Sequence, residues 1–115
     1  YKFQRLDVYQ LALDYVDAVY NLSRRLPESE SFNLRSQLER AATSVVLNIA
    51  EGSTSQSDAE QARFLGMAIR SLLETVACWE LVARRAYVRT DELKEAREKG
   101  HDLFVKLQAF RNKLT

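Results

Sequence analysis

Turn-forming residues are scarce in this chain: 3 glycines and 1 proline in 115 residues. So little material for hairpins argues against a β-rich fold. Cys78 is the only cysteine, which excludes an intramolecular disulfide framework and makes a reducing cytoplasm the simplest location. With a single histidine, His101, beside it, no metal site of the zinc type is expected, and no cofactor. No apolar run reaches membrane length and no signal-peptide pattern is present. Strong charge of one sign is also missing. The formal net charge is +1, slightly acidic up to Ser57 and slightly basic beyond it, so no global pull toward nucleic acid or an anionic membrane is built in. Any basic site has to be assembled locally, or by bringing copies together.

What is present is 46% apolar and 29% charged residues, the balance of one globular domain over residues 1–115. Four segments carry helical periodicity and the chain reads as all-α. The first, about Asp7 to Arg25, sets Val8, Ala12, Tyr15, Val16, Val19 and Leu22 on one face. Pro27 after Leu26 disfavours helix there, and Glu28 to Phe32 forms a polar connection. A second helix begins around Asn33 and runs to Glu51, with Gly52 suited to its C-terminal cap. STSQSDAE is the next break. Ser57 and Glu60 have capping-box spacing, so the third helix starts there and continues to about Arg85. Thr90 can cap the fourth, whose Leu93, Ala96, Gly100, Leu103, Leu107, Phe110 and Leu114 make a bundle seam. Short connections between long helices favour antiparallel neighbours, hence an up-down-up-down four-helix bundle.

Two helices carry more faces than one core needs. In the second, Leu34, Leu38, Ala41, Val45 and Ile49 form the core face, and a polar stripe of Arg40, Ser44, Asn48 and Glu51 runs beside it. Ser71 and Glu74 of the third helix border the core. If the helices are neighbours, these groups form a network in which Arg40 and Asn48 donate to the carboxylates, within one subunit or between two. Phe64, Ala68, Leu72, Val76, Trp79 and Ala83 are the expected core face of the third helix, yet Gly66, Leu73, Ala77 and Leu81 lie roughly opposite. Thr43, Leu47 and Ala50 likewise fall outside the core arc of the second. These outward faces imply self-association, with Leu47, Leu73, Ala77 and Leu81 at the contact. The alternative is a broad helix buried on three sides within the monomer.

Catalysis finds little support. Ser44 has no histidine near it in the chain, His101 reads as a solvated surface residue, Cys78 as a small buried hydrophobe, and Gly52, Gly66 and Gly100 are isolated rather than gathered in a phosphate loop. Arg84, Arg85 and Arg89 cluster at the end of the third helix. With Tyr87 they offer cations to phosphates and an aromatic surface to a base. Basic residues at a helix C-terminus also simply complement its dipole.

LDVYQLA at Leu6, LP at Leu26, LRSQLERAATSVVLNIAEG from Leu34 and FLGMAIRSLLE from Phe64 follow one another as in a bacterial four-helix-bundle family. That family, which this chain resembles over nearly its whole length, is named for proteins encoded in 23S rRNA intervening sequences. It is similar in fold to the accessory variability proteins of diversity-generating retroelements. RAATSVVLNIAEG carries most of the resemblance. Tyr9 stands where the family often has tryptophan, and Arg70 precedes Ser71 where glycine is common. The resemblance implies a cytoplasmic bundle forming a pentameric ring, and the retroelement relatives are associated with nucleic acid and a reverse transcriptase. An activity does not transfer with a fold. The expected function is therefore a non-enzymatic, homo-oligomeric binding or scaffold protein that takes RNA or DNA on a composite basic surface. The competing expectation is a protein-partner adaptor for a reverse transcriptase or another element-encoded protein.

Overall fold

Helix breaks in the sequence become corners in the structure. The computed structural model describes residues 1–54 and 57–115. Among these are four α-helices: α1 Asp7–Ser23, α2 Leu34–Ser53, α3 Asp58–Arg84 and α4 Thr90–Lys113. Short 3-10 turns lie at Lys2–Arg5 and Glu28–Glu30. The break expected at STSQSDAE falls partly on residues 55 and 56, which lie outside the described residues.

Named pairs establish the direction of each helix. Ser23 near the end of α1 bonds Glu39 near the start of α2. Ser71 of α3 reaches Ser44 of α2, while Gly52 at the end of α2 lies against Phe64 at the start of α3. Arg25, just past α1, pairs with Glu92 at the start of α4. Gly66, early in α3, lies beside Arg111, late in α4. Each helix is thus antiparallel to its neighbours, the up-down-up-down order expected, in a molecule of 43 × 24 × 21 Å. α1 and α3 form one diagonal and α2 and α4 the other.

Two of the expected caps are not formed. Ser57 caps α3 as its spacing implies, accepting from the Glu60 amide at 3.1 Å. α4 is preceded by Arg89 in extended conformation rather than by a capping Thr90, which is already helical. Gly52 does not cap α2: the helix continues through it to Ser53. Its role is contact, because a Cβ there would lie 2.9 Å from the Phe64 Cβ. At the end of α3 the carbonyls of Val82 and Ala83 accept from the amides of Tyr87 and Ala86, and Ala86 takes φ 54°. This is a Schellman turn with alanine where glycine is usual.

The core follows α1, α2 and α4 as read from their periodicity, but not α3. Ala68, Leu72 and Trp79 are buried, whereas Ala83 is exposed, Val76 is 39% exposed, and Phe64 is half-buried. Leu65, Ile69, Thr75, Cys78 and Val82 are buried instead. The buried residues therefore spread to both sides of the expected face, and α2 is the helix that α3 packs against most extensively. Thr75 is admitted because its hydroxyl is satisfied. Trp79 Nε1 donates to the Tyr15 hydroxyl at 2.9 Å, and the Tyr15 and Thr75 hydroxyls lie 2.7 Å apart. The Thr75 Oγ1 donates to the Leu72 carbonyl at 2.6 Å. With the Thr75 proton committed to that carbonyl, the Tyr15 hydroxyl is the donor toward Thr75. A directed chain of hydrogen bonds therefore crosses the α1–α3 diagonal. Gly100 of α4 makes room for it: a Cβ there would lie 3.0 Å from the Tyr15 ring.

Candidate interaction site on α2 and α3

The polar stripe of α2 borders α3, and part of it closes into a network. Asn48 Nδ2 donates to the Ser44 carbonyl and to Ser44 Oγ, at 2.9 and 3.0 Å, and Ser71 Oγ donates to Ser44 Oγ at 2.9 Å. This small hydroxyl-amide rung fastens α2 to α3 within one chain, so that part of the stripe is intrasubunit. The expected donation from Arg40 and Asn48 to carboxylates does not occur. Asn48 turns back on its own helix four residues earlier, a reach that the 3.6-residue repeat provides. Arg40, Glu51 and Glu74 are exposed and make no side-chain hydrogen bond or ion pair among the described residues.

Outside this rung, apolar side chains face solvent. Leu47 is 58% exposed, Leu73 48% and Leu81 46%. Ala77 is also exposed, and Thr43 and Ala50 are half-buried beside Leu47. On α2, Leu47 sits in a shallow groove of about 400 Å³ bordered by Tyr20, Arg40, Thr43 and Glu51. On α3, Leu73, Ala77 and Leu81 are spaced four apart and form a ridge, flanked by the exposed Arg70, Glu74, Glu80 and Arg84. The broad-helix alternative, which buries this face inside the monomer, does not hold.

The basic cluster at the end of α3 is divided by its partners. Arg84 and Arg85 are exposed. Arg89 lies against Asp91, with Nε and Nη2 donating to the two carboxylate oxygens at 3.1 and 3.0 Å, and within 3.6 Å of Glu92. The bond from Arg89 holds the Asp91 carboxyl below the usual range and raises the Arg89 guanidinium further. Tyr87 is half-buried, and its hydroxyl donates to Glu30 Oε2 at 2.8 Å. Glu30 also accepts from Asn33 Nδ2 at 3.0 Å. The Tyr87 bond, with help from Asn33, the Leu34 amide and the charge of Arg85, holds the Glu30 carboxyl low against the opposing effect of burial. The same bond raises the Tyr87 hydroxyl. The ring is thus committed to pinning the α3–α4 corner onto the α1–α2 connection.

Sequence reading missed Glu30, which it placed in an ordinary polar connection. The available signal was local: Asn33 three residues on, after a proline that fixes the turn. His101 is exposed, against the Phe104 ring at 6.4 Å. Cys78 is buried and its thiol is pushed up by that burial, with Glu74 adding to it. Neither presents an activated group. Among the described residues, no group of acidic, histidine or cysteine side chains is arranged to hold a metal, and no helix is long and apolar enough to cross a membrane.

The model of a family described as 23S rRNA-intervening sequence protein matches residues 4–109. A crystal structure of a protein of unknown function from the S23 ribosomal protein family of Bacteroides thetaiotaomicron VPI-5482 superimposes with a TM-score of 0.84 at 25% identity. The match covers 90% of this chain and 97% of that one. No curated protein matches. Neither description carries an enzymatic activity.

Proposed function

This chain belongs to the 23S rRNA-intervening sequence protein family, and from that premise we propose that it is a cytoplasmic, non-enzymatic scaffold that self-associates through α2 and α3, as a pentamer on the family resemblance. One observation carries the reading: Leu47, Leu73 and Leu81 stand in water on adjoining outward faces. Scattered exposed leucines are ordinary, but leucines aligned on helix faces with alanine and threonine between them form a contact surface. Burial of apolar area there contributes about 25 cal/mol per Å². Light scattering tests it. The parent chain should exceed the 13.3 kDa of one copy, and Leu73→Glu should lower the mass while helicity is kept. An unchanged mass removes Leu73 from any subunit contact.

The partner class follows from which cations are available. Arg84 and Arg85 are exposed at the end of α3, and a ring repeats them on one rim, which supports weak, multivalent, salt-dependent binding of RNA or DNA. Arg89 is occupied by Asp91 and Tyr87 by Glu30, which favours the second reading, an adaptor for a protein partner such as a reverse transcriptase or another element-encoded protein. Mass gained from a mixed RNA pool at low salt and lost at high salt selects the first; no gain at either selects the second.

A further inference from the structure

The two outward faces are complementary to each other rather than to themselves. Along α2, the outer face reads Arg40, Thr43, Leu47, Glu51; along α3 it reads, from C- to N-terminus, Glu80, Ala77, Leu73, Arg70. All four charged residues are exposed. None makes a side-chain hydrogen bond or ion pair among the described residues, while Arg25, Arg35 and Arg89 are all paired. At about 1.5 Å per residue, Arg40 to Glu51 spans about 16 Å and Arg70 to Glu80 about 15 Å. Laid antiparallel, the faces set Arg40 against Glu80, Thr43 against Ala77, Leu47 against Leu73 and Glu51 against Arg70. Opposite charges meet at both ends, and the apolar residues meet between them.

Like-with-like contacts are poorer. α3 crossing α3 at Ala77 sets Leu73 against Leu81 of the second copy, but it also brings Arg70 level with Arg84 and Glu74 level with Glu80, so every charged pair in the contact is of like sign. α2 crossing α2 at Leu47 sets Thr43 level with Glu51 of the second copy and leaves Arg40 with no opposing carboxylate. The α2 surface carries a shallow groove, and on α3 Leu73, Ala77 and Leu81 make a ridge only in the sense of a row of side chains four residues apart.

We infer that the α2 groove of one copy takes up the α3 ridge of a second copy, a heterologous contact that leaves each copy with one groove and one ridge still open. This rests on the scaffold reading above and adds the pairing rule. α2 and α3 are antiparallel within a chain, so copies related by rotation about an axis along the bundle keep them antiparallel across the contact. Such contacts propagate until they close, into a ring if the rotation permits and a filament otherwise.

Mixing decides it. Leu47→Glu spoils only the groove and Leu73→Glu only the ridge, and both residues are exposed enough for each variant to keep parent-like helicity by circular dichroism. Over a concentration series in light scattering, each variant alone should hold the mass of one chain. An equimolar mixture should rise toward twice the 13.3 kDa chain mass, because it contains one intact groove and one intact ridge. Leu47→Glu pairing with itself would mean ridge on ridge, and Leu73→Glu pairing with itself groove on groove; either overturns the inference. So does a mixture that stays monomeric while the parent chain is oligomeric, a result that leaves the scaffold reading standing. A parent chain that is itself monomeric overturns both.

Discussion

Trp79 and Tyr15 meet across the bundle diagonal, indole N–H to phenol oxygen at 2.9 Å, with both side chains almost wholly removed from water. The phenol accepts from the tryptophan and passes its own proton toward Thr75, so one oxygen satisfies two polar groups of α3. Buried polar groups are tolerated only when so paired.

Tyr15→Phe should therefore cost more than the loss of one ordinary hydrogen bond. It strands the buried Trp79 N–H, which costs about 1–3 kcal/mol, and also removes one bond to the Thr75 hydroxyl, which keeps its own donation to Leu72. Urea denaturation should show a lower midpoint at unchanged slope. A midpoint equal to that of the parent would show that the phenol contributes nothing to stability.

The three glycines divide two against one when changed to alanine. At Gly52 the new Cβ would meet the Phe64 Cβ at 2.9 Å, and at Gly100 it would meet the Tyr15 ring at 3.0 Å. Neither neighbour can swing away, so overpacking of about 1–3 kcal/mol should outweigh the roughly 1 kcal/mol gained in helix propensity. At Gly66 the nearest atom is the Arg111 guanidinium carbon at 3.3 Å, the end of a flexible exposed chain. Gly66→Ala should be neutral or stabilising by up to about 1 kcal/mol. Thermal melts of the three variants should separate into two losses and one small gain.

Glu30 gives the fold an acid-sensitive corner. Its folded carboxyl is held below the ordinary value, chiefly by the Tyr87 hydroxyl. The stability it contributes is therefore fully present above the unfolded carboxylate pKa and is lost as pH falls through the folded one. Parent stability should decline across that acidic window, and Glu30→Gln should flatten the decline while lowering stability at neutral pH. A slope identical in the two proteins would remove Glu30 as its source.

Ala86 holds φ 54° in the Schellman turn after α3, a conformation that disfavours residues with a Cβ by about 1–2 kcal/mol. Ala86→Gly should relieve it, offset in part by the greater freedom of glycine in the unfolded chain, for a net gain of up to about 1 kcal/mol. Denaturation midpoints of parent and variant measure this directly. A fall in midpoint would mean that the alanine methyl contributes more than the backbone conformation costs.

The helices and their order were legible because α1, α2 and α4 repeat apolar residues at one period, and because Leu26-Pro27 and Ser57 with Glu60 punctuate the chain. α3 was legible in extent but not in rotation. Thr75 reads as polar, and its place in the core depends on Tyr15, 60 positions away in sequence. Gly52 reads as a cap, and only the approach of Phe64 from another helix shows why it lacks a side chain. Exposure of Leu47, Leu73 and Leu81 followed from periodicity. The pairings did not: Arg89 with Asp91, Tyr87 with Glu30, and Asn48 with Ser44 depend on rotamers and corner geometry that no spacing rule specifies.

The chain holds a single tryptophan, and it is the one locked in the core at Tyr15. Its ultraviolet emission therefore reports the packing of that diagonal alone. It should shift toward the red when the bundle opens, and remain still when the outer surface of α2 meets another copy. Folding and assembly then have separate optical and hydrodynamic signatures in one sample, with no label added.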